Sequence, residues 1–233
     1  GTSVLVARIS YMINQSFNQG VFPSIFDVSK IIPIYKSGTT ELCNNYRPIS
    51  LLSNLSQILE KAMHKRLYEY LEKFEIIYKL QFGFRKHHST NHALVNLITS
   101  VREILDKGEY ACGVFLDLQK ASDTVNQNIL LEKLAVYGIR GVCHKCMHPS
   151  VSHKVQFLAH YCFLMYINDF RLSLSSSVAQ HFADDTIILN SSHSIQRIKV
   201  SISHDIANIC DWLCANRLSL NTSKTEVILF QPK

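Results

Sequence analysis

Residues 181–190 read HFADDTIILN, and the adjacent pair Asp184 and Asp185 constrains the fold more than any other feature of the chain. A strand does not usually hold two neighbouring carboxylates in its middle, because successive side chains point to opposite faces and one of them must be buried. The residues on both sides are apolar or β-branched, which suits strands. The stretch VAQHFADDTIIL (178–189) is therefore predicted as a β-hairpin with the aspartates at its turn, where Asp tolerates the geometry.

Two carboxylates at one place repel each other unless a cation sits between them. A hard divalent ion such as Mg²⁺ takes oxygen ligands of this kind together with substrate phosphates. A third carboxylate is at hand, since Asp117 comes near the end of the apolar run ACGVFLDL (111–118), which reads as a buried strand. Three such groups could hold two ions roughly 3.5–4 Å apart, the spacing used for phosphoryl transfer. An Asp-Asp pair can equally be a plain solvated turn.

The rest of the chain reads as an ordinary globular protein. With 47% hydrophobic and 18% charged residues over 233 positions, it has the means to build a core, which argues against disorder. A net charge of +6 permits a polyanionic partner without requiring one. Seven cysteines without regular spacing read as reduced, mostly buried thiols of an intracellular protein. No run of 18 apolar residues and no signal peptide are present. Gly1 already lies inside a helical pattern and Gln231-Pro232-Lys233 directly follows an apolar run, so the chain reads as a piece of a longer protein.

Helical periodicity marks 4–17 (Leu5, Ile9, Met12, Ile13, Phe17), ended by Gly20 and Pro23. It marks 54–74 more strongly, through Leu55, Leu59, Met63, Leu67, Tyr70, Leu71 and Phe74. Another helix starts at the N-cap Ser89, carries Leu94, Leu97, Ile98, Val101, Ile104 and Leu105, and stops at Lys107-Gly108. Shorter helical signals cover 129–137 and the helix end 163–170; the helix 195–213 turns Ile195, Ile198, Ile202, Ile206, Ile209 and Leu213 inward. Residues 30–38 read as a strand running into a turn, 45–52 as a Pro-interrupted extended segment, and 219–230 as a turn followed by a strand. The sum is an α+β architecture, with helices packed on a mostly antiparallel sheet.

Six stretches carry a resemblance. FADD (182–185) resembles the signature of reverse transcriptases, and FLDLQKASDTV (115–125) their strand motif with the first metal-binding aspartate. NYRPISLLSNLSQILEK (45–61) and QFGFRKHHSTNHAL (81–94) resemble the fingers motifs of retroelements without long terminal repeats. YINDF (166–170) and NRLSLNTSKTEVILF (216–230) follow in the matching order, so the resemblance runs from about residue 20 to 230.

The resemblance implies a polymerase core of fingers and palm, its antiparallel palm sheet packed by helices and its thumb absent. The expected limits are a helical extension at 1–30, fingers at 31–110 and palm at 111–233, internally shortened near 142–160. It implies RNA-directed DNA synthesis on an RNA template from a DNA primer, with deoxynucleoside triphosphates and two Mg²⁺ ions held by Asp117, Asp184 and Asp185. Lys224 matches the lysine that protonates the leaving pyrophosphate, and Lys36 and Arg47 match fingers residues that contact the triphosphate. Gln81, Gly83, Phe84 and Arg85 are expected to shape the template side; Gly83 and Phe84 could also be packing residues. Nucleus or cytoplasm is the implied compartment.

Two departures bear on activity. Five positions after Asp117 the family has an aromatic ring that floors the sugar pocket and excludes a 2′-hydroxyl; here Ser122 leaves that space open. Tyr166 follows Gly141 by only 25 positions, and the Pro-Gln-Gly-Ser loop expected before YINDF does not occur. That loop walls the nucleotide pocket, and a misplacement of about 1 Å can cost on the order of 10²-fold in rate. The chain is expected to be inactive or nearly so. A nucleic-acid-binding remnant and a decayed reading frame are the competing expectations. CHKCMHPSVSH (143–153) holds Cys143, Cys146, His148 and His153, but the spacing fits no usual zinc site and is read as accidental.

Overall fold

The computed structural model describes residues 2–21, 23, 30–51, 53–119, 124–140 and 156–232. They fall into two units, Gly1–Lys73 with Leu131–Ala159 and Phe74–Leu130 with His160–Lys233. Residues 74–110 group with the sheet in the second unit.

In the first unit, helix α1 (Thr2–Gln19) stops where Gly20 adopts a φ of 67° and its N–H donates to Ser16 O at 2.9 Å. Ile9, Met12, Ile13 and Phe17 are half-buried, whereas Leu5 is exposed. Strands β1 (Lys30–Tyr35) and β2 (Tyr46–Leu51) form an antiparallel ribbon with Pro33 opposite Pro48. A two-stranded ribbon has free edges on both strands, so two prolines without N–H groups are tolerated. Helix α2 (Asn54–Lys73) buries Leu59, Met63, Leu67 and Leu71 at helical spacing. Phe74 falls just past its end and is exposed.

The second unit is built on a four-stranded sheet of order β4-β5-β3-β6, antiparallel throughout. Its strands are β3 (Tyr110–Leu116), β4 (Val178–Phe182), β5 (Asp185–Ser192) and β6 (Glu226–Phe230). Helix α3 (Thr90–Asp106) opens on Ser89, whose side chain accepts from the His92 N–H, and closes before Gly108 at φ 74°. Its apolar stripe is half-open: Val101 is buried, but Leu94 and Ile98 are exposed. Helix α4 (Gln127–Val136) links the two units along the chain. In helix α5 (Gln156–Ile167), every residue from Tyr161 to Ile167 is buried, as in a helix apolar all round.

Helix α6 (Ile195–Ala215) buries Ile198, Ile202, Ile209 and Leu213 as the pattern requires. Two expected inward residues differ: Ile195 is exposed and Ile206 half-buried, while the stripe includes the carboxylate of Asp205. Of the described cysteines, Cys112 and Cys162 are buried, but Cys43, Cys210 and Cys214 are exposed thiols, which corrects the mostly buried reading. Among the described residues no helix is long and apolar enough to cross a membrane. The segment 143–153 lies outside the described residues.

Candidate active site

Register brings the carboxylates together. Strands β3 and β5 pair from Tyr110↔Ser192 to Leu116↔Thr186, so one further step sets Asp117 opposite Asp185. Strands β4 and β5 close at Phe182↔Asp185, leaving Ala183 and Asp184 as the turn. The predicted hairpin is present, with one refinement: Asp184 is in the turn, but Asp185 opens β5. Ala183 takes a φ of 58°, a left-handed conformation that costs a residue with a Cβ about 1–2 kcal/mol.

The field at the site is that of crowded negative charge. Burial, then Asp184, then Asp117 push the Asp185 carboxyl above the usual range, and Lys224 pulls it back. Asp117 is half-buried and engaged: Asn221 Nδ2 donates to its Oδ2 at 2.7 Å, and Lys224 Nζ lies 3.7 Å from the same oxygen. The Asn221 N–H also donates to Asp117 O at 2.8 Å, so the 219–224 loop is strapped across the end of β3. Sequence reasoning missed Asn221; its place three residues before Lys224 was the available signal. Among the described residues no three His, Cys, Asp or Glu side chains are gathered tightly enough to hold a metal ion. The three aspartates are thus neighbours in field, with hard oxygen donors that suit Mg²⁺, but not a closed ligand set. A cavity of about 380 Å³ opens beside them, with Leu94, Leu97, Phe115 and Phe182 on its apolar side and Asp117, Asp185 and Lys224 on its polar side.

Beneath the turn, Gln81 and Gly83 are buried. The Gln81 amide is bonded to the turn backbone and Gly83 packs on Ala183. Phe84 differs: it is 43% exposed at a φ of 57°, its ring 4.1 Å from that of His160, and its carbonyl accepts from Tyr161 Oη at 2.6 Å. Arg85 Nη1 points back to the carbonyls of Tyr78 and Gln81 at 3.5 Å. In the other unit, Lys36 is exposed after β1, its N–H bonded to Asn45 O at 2.8 Å, and Arg47 stands opposite Ile34 in the ribbon. Ser122 lies outside the described residues.

The other motif stretches tie the unit together from within. Tyr166 is fully buried; its hydroxyl donates to Asn216 O at 2.5 Å and accepts from the Asn126 N–H at 3.3 Å. Asn168 accepts from the Tyr78 N–H and donates to Ile76 O, both at 2.8 Å. YINDF therefore anchors segments nearly a hundred positions away in the chain.

Comparison with known proteins points to one family. The family described as reverse transcriptase (RNA-dependent DNA polymerase) matches residues 34–233. The RNA-directed DNA polymerase from mobile element jockey of Drosophila melanogaster is 36% identical over 126 residues, 54% of this chain. The probable RNA-directed DNA polymerase from transposon BS of the same fly is 37% identical over 130 residues, 55% of this chain. Each match spans only 14% of the relative's own length. Apo telomerase from Candida tropicalis, truncated from its C-terminal domain, shares the fold with a TM-score of 0.62 at 15% identity, over 91% of this chain and 52% of that one. The family match extends over most of the chain and the sheet sets Asp117 opposite the Asp-Asp hairpin, and on both grounds the chain belongs to the reverse transcriptase family, with the mixed helical and antiparallel fold of a polymerase core and a resemblance to the enzymes of non-LTR retrotransposons.

Proposed function

We propose that this chain is the core of an RNA-directed DNA polymerase from a retroelement, carrying the residues for two-metal nucleotidyl transfer but extending primers poorly as it stands. The observation that carries the reading is the placement of Asp117 opposite Asp185 and beside Asp184, with Lys224 on Asp117. Bound Mg²⁺ would neutralise the phosphoryl group in transfer and activate the primer 3′-hydroxyl. Asp117, Asp184 and Asp185 would hold it, and Asp117 would exchange its contact with Lys224 for the metal. Lys224, 70% exposed on its side chain, is free to swing to the leaving pyrophosphate as its proton donor. Lys36 and Arg47 contact the incoming triphosphate. The exposed Phe84 ring stacks on template, Arg85 belongs to the same template side, and Ser122, where the family has an aromatic ring, relaxes the exclusion of ribonucleotides.

Residues 1–30 are proposed as a helical extension, 31–110 as fingers and 111–233 as palm. The shortened stretch near 142–160 and Ser122 are the reasons extension is weak. Partners are an RNA template, a DNA primer and deoxynucleoside triphosphates. A second reading, a binding remnant without catalysis, draws on the Phe84–His160 ring pair, which is the kind of platform that unpaired bases stack on.

Primer extension on an RNA template with Mg²⁺ tests the reading, with Asp184→Asn and Asp185→Asn beside the wild type. Weak extension that disappears in both variants is the expected result. Efficient extension that disappears in both would uphold the polymerase reading and remove the impairment. Folded protein with no extension, yet with salt-dependent RNA binding, would move the reading to the remnant.

A further inference from the structure

We propose that Gln81 is a positioning residue for the metal-binding turn, holding Asp184 and Asp185 in place through the backbone of Ala183. Gln81 is 3% exposed, and both ends of its amide are engaged. Oε1 accepts from the Ala183 N–H at 3.1 Å and from the Gly83 N–H at 2.8 Å, while Nε2 donates to Ala183 O at 3.4 Å. A neutral amide is the group that can accept and donate at once. A glutamate would lose the donor and add a negative charge next to two others.

Ala183 is the residue that needs holding. At a φ of 58° it sits where a Cβ is disfavoured, and both of its backbone polar groups go to one side chain 102 positions earlier in the chain. Gly83 acts on the same residue by contact. A Cβ there would lie 2.1 Å from Ala183 N and 2.7 Å from Ala183 Cα, so any larger residue must displace the turn. Two independent interactions from QFGFR thus converge on the residue just before the aspartates. The segment itself is anchored without the Gln81 side chain, since the Phe82 N–H donates to His181 O at 2.8 Å and the His181 N–H to Leu80 O at 2.9 Å. Removing the amide therefore loosens the turn without detaching the segment.

The inference rests on the reading of Asp184 and Asp185 as metal ligands, so the experiment separates the two. Mn²⁺ binding to the full chain is measured for wild type, Asp185→Asn, Gln81→Met and Gln81→Asn, with unfolding midpoints for each. Groups that orient metal ligands typically account for 10–100-fold in affinity, so Gln81→Met should weaken Mn²⁺ binding about 10-fold in folded protein. Gln81→Asn, too short by one methylene, should show a smaller loss in the same direction and serves if the first variant does not fold. A purely structural Gln81 would lower the midpoint and leave the Mn²⁺ affinity of the folded protein unchanged; that result overturns the proposal. Equal binding by wild type and Asp185→Asn overturns the site reading, and the proposal with it.

Discussion

His181 lies next to the Asp-Asp turn yet belongs to the core. It is 2% exposed, flanked by the rings of Tyr78 and Phe170, with Nδ1 2.8 Å from Thr186 Oγ1. Burial lowers its pKa from 6.5 to about 4. Between those values the unfolded chain binds a proton that the folded one refuses. Stability is therefore expected to fall as pH drops from 6.5 towards 4, and to level off below, by about 3 kcal/mol in all. Urea unfolding across that window checks it: His181→Phe, which cannot titrate, should show a flatter curve, and parallel curves would refute the assignment. The sequence showed the hairpin and its aspartates through apolar flanks around DD. It did not show that His181 would be a neutral core residue, or that Gln81 would bond the turn, because both depend on partners that no local pattern reveals.

At the scale of elements, α6 does more than cover the sheet. Asp205 is fully buried, and its carboxylate accepts from the N–H groups of Ser175, Ser176 and Ser177 at 2.7, 3.4 and 2.9 Å, and from Ser176 Oγ at 3.1 Å. Burial alone would raise its pKa, but these bonds outweigh it and hold the carboxyl below the usual range. Helix α6 is thereby pinned to the loop that enters β4. Asp205→Ala removes the shared charged acceptor of three serines that lie at or near the surface and should cost about 2 kcal/mol, read as a lower denaturation midpoint. Its pH signature differs in window from that of His181: a depressed carboxylate stabilises above its unfolded pKa of 3.8, and the contribution is lost as pH falls through the lower folded value. A loss under 1 kcal/mol would contradict the pinning. Helical period found α6 and its apolar stripe, while Asp205 was passed over because a carboxylate on that stripe reads as an interruption. The serines at 175–177, a run of donors just before a strand, were the available signal. Likewise Ser89 and Gly108 gave the limits of α3, but not that Leu94 would line the open cavity beside the aspartates or that Ile98 would be exposed.

For the whole molecule, the legible part was the order of motifs and the antiparallel sheet they imply. The grouping of the chain was less legible. Residues 74–110 fall with the sheet because Tyr78 Oη donates to Ala179 O at 2.9 Å, the Tyr78 N–H donates to Asn168, and Gln81 reaches Ala183. These bonds span about a hundred positions and leave no trace in local periodicity. The same long-range pairing brings the three carboxylates together, since Asp117 directly follows β3 and the β4–β5 hairpin carries Asp184 and Asp185. Asn221 and Lys224 engage the Asp117 carboxylate from the neighbouring loop. The central claim is that these three carboxylates still bind divalent ions. Mn²⁺ titration of the folded chain beside Asp117→Asn tests it most directly. The account predicts saturable binding in the wild type that weakens at least about 10-fold in the variant, as expected for loss of a carboxylate ligand. Indistinguishable binding curves for the two proteins would contradict it.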